Sequence, residues 1–184
     1  MKNAVSLFLA AGLAGACLMS ARAENLGPGQ IDFGKFTPSA KGGEFVEVNL
    51  TSSIISMAAK LVEKDEPQVA KLLNGLQLVH VTVIGLDDEN RGDLQKRADK
   101  VRHDLDSKGW ERTVMAQKEG KEVGVYLKTK NKDTVQGLAV LAMDGNERAV
   151  FVNIVGDIKP EEISLLGEKL HIDPLKKFGR KGAE

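Results

Sequence analysis

Alternating and continuous apolar runs predict six β-strands along this chain. They occupy residues 44–50, 77–86, 110–118, 122–130, 134–143 and 147–155. The last two of these runs and 77–86 are apolar on both faces, which is typical of interior strands. Charged side chains are spread through 110–118 instead, so we expect that segment at an edge of the sheet.

Helical periodicity predicts four helices between and after the strands, over residues 54–62, 66–74, 93–108 and from Pro160 to about Leu170. Thr51, Ser52 and Ser53 offer side-chain caps for the first helix, and Pro67 suits the first turn of the second. The third helix carries one apolar face, made of Leu94, Ala98, Val101 and Leu105. Gly109 suits the left-handed position after it, and Trp110 is interpreted as a core residue packed on Leu105.

The resulting element order, β-αα-β-α-ββββ-α, predicts a single α+β domain over residues 44–175. Short turn sequences, EGK, NKD and DGN, separate the last four strands. These strands are therefore predicted to form an antiparallel meander. Two further strands complete the sheet, and the helices pack on it.

Residues 1–23 are predicted to be a secretory signal peptide. Lys2 precedes a short apolar run, and Ala21 and Ala23 provide an Ala-x-Ala cleavage site after Ala23. Lipidation at Cys17 is the alternative, although Ala14 stands where a lipoprotein signal usually has Leu. No later segment is long and apolar enough to span a bilayer. We expect a periplasmic or secreted protein, or a membrane-anchored lipoprotein if Cys17 is modified.

Two segments flank the predicted domain. The stretch 24–43 is rich in Gly and Pro and is predicted to be a surface arm, pinned to the domain by Ile31, Phe33 and Phe36. The end of the chain, 176–184, is predicted to be a basic flexible tail. Its cations are Lys176, Lys177, Arg180 and Lys181.

Composition excludes several classes of protein. The chain has 184 residues, with 26 basic and 26 acidic side chains and 42% hydrophobic residues, so a folded domain is expected and a nucleic-acid binder is not. Aromatic residues make up 4% of the chain, which disfavours a stacking surface for sugars or single strands. Cys17 is the single cysteine and lies in the predicted signal peptide, so thiol chemistry is excluded from the mature chain.

Four polar residues are weak candidates for a binding site: His80, Asp87, Asp88 and Asp157. Each also has a structural interpretation. His80 fits a half-buried position in a strand, Asp87 and Asp88 fit a cap before a helix, and Asp157 fits a cap of a helix or turn. No catalytic residue is assigned.

Metal and cofactor sites are not expected. His80, His103 and His171 lack a second histidine within four residues, and the acidic cluster from Asp87 to Asp93 lacks the EF-hand offsets. No phosphate-binding, dinucleotide-binding or Gly-x-Ser-x-Gly pattern occurs.

Several stretches carry a family resemblance. The succession IDFGKF, FVEVNL, VTVIGLDDENR, GWERTV, GVYLKTK and GLAVLAMDGNERAVFVNIVGDIKPEEISLLGEKLHIDPLKK resembles the exported bacterial proteins grouped as domain of unknown function 4252. The resemblance covers roughly Ile31 to Lys177, and GWER and FVNIVGDI are its more specific parts. It implies a signal peptide or lipobox, an envelope location and one α+β domain. It implies no activity.

Three functions remain open from the sequence. The first is a non-enzymatic module that binds an envelope protein or peptide, for example at the edge 110–118. The second is an envelope hydrolase that uses carboxylates near Asp87 or Asp157. The third is a small-molecule carrier with an apolar internal cavity of roughly 300 Å³ or more. We expect a monomer or weak oligomer.

Overall fold

The computed structural model describes residues 26–38, 43–145 and 147–169. The predicted signal peptide with its cleavage after Ala23, the alternative at Cys17 and the predicted tail 176–184 lie outside the described residues. The arm is described over 26–38.

Within the described ranges, six strands and four helices follow the predicted order, with ends within a few residues of the expected ones. They are β1 Phe45–Thr51, α1 Ser52–Val62, α2 Pro67–Gly75, β2 Leu76–Gly85, α3 Arg91–Ser107, β3 Glu111–Lys118, β4 Lys121–Asn131, β5 Thr134–Asp144, β6 Arg148–Ile158 and α4 Pro160–Lys169.

All six strands form one antiparallel sheet in the order β1-β2-β6-β5-β4-β3. The four-strand meander is confirmed, because β3 to β6 are neighbours in chain order. The interior positions of β2, β5 and β6 and the edge position of β3 are also confirmed. The other edge is β1, and β2 joins the first part of the chain to the meander through β6.

One face of the sheet is covered by α1, α2 and α4. Ile55 of α1, Leu72 of α2 and Ile163 of α4 are buried against it. The strands contribute a set of apolar side chains to this core: Val79, Val125, Leu127, Leu138, Val140, Val152, Ile154 and Ile158. Apolar burial of this kind is the main force that holds helices to a sheet.

The opposite face is covered by α3 and the arm. The predicted stripe of α3 is confirmed, since Leu94, Ala98, Val101 and Leu105 are all buried. They share a core with Phe33 of the arm and with strand residues Tyr126, Leu141, Met143 and Phe151. Ile31 and Phe36 of the arm pack at its border, so the predicted pinning of the arm is also confirmed.

The end of α3 has the expected cap. Gly109 has φ 71°, its N–H donates to Asp106 at 3.3 Å, and the N–H of Trp110 donates to the carbonyl of Leu105 at 3.1 Å. This pair of bonds is the Schellman arrangement. Lys128 adds a donor, because its Nζ lies 3.1 Å from the Gly109 carbonyl. Trp110 is 7% exposed, which confirms it as a core residue.

The N-terminal caps of α1 and α4 differ from those that the sequence predicts. Thr51 occupies the N-cap position of α1 without a side-chain hydrogen bond, since the residue is also the last of β1. At α4 the carboxylate of Glu162 accepts a hydrogen bond from the Lys159 N–H at 3.0 Å. The first turn of α4 is therefore closed by its own glutamate rather than by Asp157.

Candidate functional site

His80 lies on β2, on the face that the arm covers. Its Nε2 is 3.3 Å from Thr82 Oγ1 and 3.4 Å from Glu47 Oε1, and its ring centroid is 5.9 Å from that of Phe33. The side chain is 21% exposed. The half-buried interpretation from the sequence agrees with this position.

Asp87 and Asp88 follow β2 and lie in the turn before α3. Asp87 Oδ1 accepts hydrogen bonds from the N–H groups of Glu89 and Asn90 at 2.9 and 2.8 Å. In return, Asn90 Oδ1 accepts a bond from the Asp87 N–H at 2.9 Å. Asp88 points into solvent, 3.7 Å from Arg91. Asp87 therefore orders the turn before α3, but the N-cap of the helix is Asn90, without a side-chain cap hydrogen bond, so the predicted cap is not formed by Asp87 or Asp88.

Asp157 lies at the far end of the sheet from Asp87. It belongs to β6 beside Gly156, which pairs with Leu76 at the start of β2, whereas Asp87 follows the end of β2. Its carboxylate is 2.9 Å from Lys130 Nζ, and both side chains are more than half exposed. The structure brings Asp87 and Asp88 together and leaves His80 and Asp157 at separate places.

Asn153 is the polar residue that the sequence interpretation missed. It lies on β6, is 1% exposed and holds the arm through its side-chain amide. Its Oδ1 accepts from the Ile31 N–H at 3.0 Å, and its Nδ2 donates to the carbonyls of Gly29 at 2.9 Å and Leu138 at 3.3 Å. The sequence does offer one signal for this role: a single amide side chain lies within the apolar run AVFVNIV. A buried amide needs hydrogen-bond partners, so its presence there indicates a polar contact inside the core.

Arg97 of α3 holds the next part of the arm. Its Nη1 donates to the carbonyls of Phe33 and Lys35 at 3.3 and 2.7 Å, and its guanidinium lies 4.6 Å from the centre of the Phe36 ring. The centroids of the Phe33 and Phe36 rings lie 5.6 and 4.9 Å from that of Phe151. The arm is thus bound by aromatic packing and by side chains that pair with its backbone.

Two glycines let the arm approach the sheet closely. Gly29 has φ 84°, and a Cβ there would lie 2.2 Å from the Gln136 carbonyl oxygen. A Cβ on Gly137 would lie 2.6 Å from Trp110 and 2.7 Å from the Gly29 Cα. Side chains at these two positions would separate the arm from β5.

Most of this chain matches the sequence model of one protein family. The model described as a domain of unknown function, DUF4252, matches residues 40–166. The chain belongs to the DUF4252 family. The match includes Asn153 and Arg97, and it begins after the described part of the arm. No curated protein and no solved structure matches the chain.

One pocket on this DUF4252 domain has a volume of about 300 Å³. It is a surface cleft between the arm and the start of α3. Three carboxylates, Asp87, Glu89 and Asp93, line it together with Arg97 and Phe36. The cleft is the one place among the described pockets where the predicted candidate Asp87 meets other carboxylates.

Groups of metal ligands and membrane-spanning helices are both absent from residues 26–38, 43–145 and 147–169. No group of three or more His, Cys, Asp or Glu side chains in these ranges is arranged to hold a metal ion. No helix in these ranges is long and apolar enough to cross a membrane. The hydrogen bond from Lys121 to Asp144, 2.6 Å long, raises the pKa of that lysine above its usual value, but the pair lies on the surface.

The outer edge of β3 is the other exposed feature. Among the described strands, β4 alone pairs with β3. Val114 is half-buried and the other residues of β3 are exposed. Met115 is 45% exposed on this edge. An edge strand presents unpaired backbone N–H and C=O groups, which can pair with another strand.

Proposed function

We propose that this protein is a non-enzymatic binding module of the cell envelope, and that it takes up an extended segment of a partner protein at β3. The observation that carries the proposal is the outer edge of β3, which is paired with no strand in the part of the chain that the structure describes. Strand addition to such an edge supplies main-chain hydrogen bonds, and neighbouring side chains supply specificity.

The chemistry of β3 defines the kind of segment it fits. Pairing with β4 is irregular between Arg112 and Val114 and regular from Val114 to Lys118, so a short added strand is accommodated best beyond the irregularity. Val114 and Met115 supply apolar contacts on opposite faces of the sheet. Lys118 at the end favours an acidic residue across from it.

The partners of the four polar candidates support binding rather than chemistry. Asp87 holds a turn, Asp88 lies 3.7 Å from Arg91, Asp157 forms an ion pair with Lys130, and His80 lies between Glu47 and Thr82. A carrier would need an enclosed apolar cavity, whereas the cleft of about 300 Å³ lies at the surface and has charged as well as apolar side chains in its lining.

A crosslinking experiment in intact envelopes tests the proposal. We would place a photoreactive amino acid at Gln117 in β3 and, as the matched control, at Val46 in the other edge strand, β1. We expect one specific protein adduct from Gln117 and none from Val46, which is 43% exposed on the edge strand β1 and to which no partner is assigned. Absence of an adduct from Gln117, or the same adducts from both edges, would contradict strand addition at β3.

A hydrolase at the cleft is the second candidate, favoured by the convergence of Asp87, Glu89 and Asp93. Complementation by Asp87→Ala, Asp93→Ala and Asp157→Ala variants, read beside their melting temperatures, separates the two functions. If the protein is a binding module, each variant should lose its ability to complement only as far as its melting temperature falls. For a hydrolase, removal of an acid or nucleophile costs a factor of about 10² or more in rate in a protein that melts normally.

A further inference from the structure

The turn that joins β3 to β4 determines which backbone groups of β3 point away from the sheet. Lys118 and Lys121 face each other across a two-residue turn, in which Glu119 and Gly120 have φ 52° and 78°. Positive φ at both positions is typical of the type I′ turn, and the two residues that flank such a turn exchange both of their backbone hydrogen bonds. The N–H and C=O groups of Lys118 therefore point toward β4.

The direction of the other backbone groups of β3 follows from that pair, because hydrogen-bonded and non-hydrogen-bonded pairs alternate along an antiparallel ladder. In the regular part of the pairing, the groups of Val114, Ala116 and Lys118 bond to β4. Those of Met115 and Gln117 point outward, where no described strand pairs with them. The edge thus offers two N–H donors and two C=O acceptors to an added strand.

The face of β3 that carries Ala116 leaves room for a large side chain. Val114 and Lys118 flank Ala116 on this face, and Ala116 lies across from the half-buried Val123 of β4. Toward an added strand, Ala116 would form a non-hydrogen-bonded pair, in which side chains approach each other most closely. A large apolar residue there would lie over the methyl group of Ala116 and cover the exposed part of Val123.

The charges around the turn favour an acidic residue across from Lys118. Its neighbour on β4, Lys121, is bonded to Asp144 at 2.6 Å, and Glu122 belongs to the opposite face of the sheet. Glu119 lies 3.7 Å from Lys118 in a pair that is about four-fifths exposed, and such pairs contribute little free energy. Lys118 therefore remains accessible to a carboxylate on an added strand.

We infer that the segment bound at β3 runs antiparallel to it and reads, from its amino end, acidic, polar, large apolar, apolar and β-branched. This inference rests on the proposed strand addition and specifies its partner. The five residues lie across from Lys118, Gln117, Ala116, Met115 and Val114 in that order. The antiparallel direction is the one that every described strand pair uses, and it is slightly more stable per residue than the parallel one.

Sequencing of the segment captured at Gln117 tests this pattern. The adduct formed in intact envelopes by the photoreactive amino acid at Gln117 would be digested, and the captured peptide read by tandem mass spectrometry. We expect the modified residue to follow an acidic residue directly and to precede a large apolar one. A captured segment without this order would overturn the inference and leave a partner at β3. Absence of any adduct would overturn strand addition itself, and the inference with it.

A proline substitution tests the backbone pattern. Met115→Pro removes an N–H that makes no bond to β4, so the sheet should remain intact while the yield of the adduct falls roughly fivefold or more. Asn49→Pro is the matched control on β1. Since the Gly85 N–H donates to the Glu44 carbonyl at 2.7 Å, the alternation along β1 directs the Asn49 N–H outward as well. This control should leave the yield unchanged.

A second variant keeps every backbone group and tests the side-chain pattern. Ala116→Glu places a charge where the large apolar residue would lie, so it should lower the yield of the adduct by a similar factor even if Met115→Pro does not fold. Asn49→Glu adds the same charge to β1 and should have no effect. Melting temperatures are recorded for all variants. An undiminished yield from folded Ala116→Glu protein would overturn the inference.

Discussion

The two faces of the sheet are covered by different means. On one face, α1, α2 and α4 bury apolar side chains and satisfy their own backbone hydrogen bonds. On the other, an arm without regular structure lies beside α3, and its backbone N–H and C=O groups need partners from side chains. Asn153 and Arg97 supply those partners. A helix can therefore be held by apolar contact alone, whereas an irregular segment needs specific polar side chains beneath it.

The largest effects on stability are expected for Phe151→Ala, on the face that the arm covers, and for Ile154→Ala, on the face that α1, α2 and α4 cover. Both residues are on β6 and are 1% and 0% exposed. We expect Phe151→Ala to cost about 3–5 kcal/mol and Ile154→Ala about 2–5 kcal/mol of unfolding free energy, because each leaves a cavity. Urea unfolding measures both.

The two variants should differ in the arm. Phe151 lies under Phe33 and Phe36, so its removal should lower hydrogen-exchange protection of residues 27–38 more than the loss of global stability accounts for. Ile154→Ala should lower protection of the arm only in step with the whole domain. Equal arm protection in the two variants would show that aromatic packing does not hold the arm.

The next largest effect is expected for Asn153→Ala. The change leaves the Ile31 N–H and the Gly29 carbonyl without their buried partner, which should cost about 1–3 kcal/mol. Asn153→Asp is the matched variant, since its carboxylate can still accept from Ile31 but cannot donate to Gly29. Thermal melts and exchange of the Ile31 amide measure the effects. Arm protection unchanged in both variants would refute the role assigned to the amide.

This contrast also explains what the sequence could predict. The stripe of α3, the meander and the Gly109 cap follow from local spacing and turn chemistry, and the structure has them all. The arm was expected to be pinned by apolar residues, but the role of Asn153 depends on a strand and an arm far apart in the chain. The same holds for Asp157. The sequence predicted that it caps a helix or turn, whereas in the structure its carboxylate forms an ion pair with Lys130. Long-range polar pairs have no local pattern.

The smallest losses of unfolding free energy are expected when one polar contact is removed from each face of the sheet. Arg97→Met removes two hydrogen bonds to arm carbonyls and the contact with Phe36, and we expect a loss of about 0.5–1.5 kcal/mol. Lys169→Met removes the ion pair with Glu66 between α4 and the turn before α2, where both side chains are nearly half exposed. That change should cost about 0–1 kcal/mol. Chemical denaturation measures both, and a larger loss for Lys169→Met would reverse the comparison.

The position of β2 between β1 and β6 has a consequence for how the chain assembles. β2 gains its second neighbour, β6, only after α3 and three more strands have been synthesised. Until then one long side of an apolar, β-branched strand has no partner, which is the condition under which chains associate with one another. The meander, by contrast, closes through short local turns. The slow event in folding is therefore expected to be the docking of the β1–β2 half onto β6.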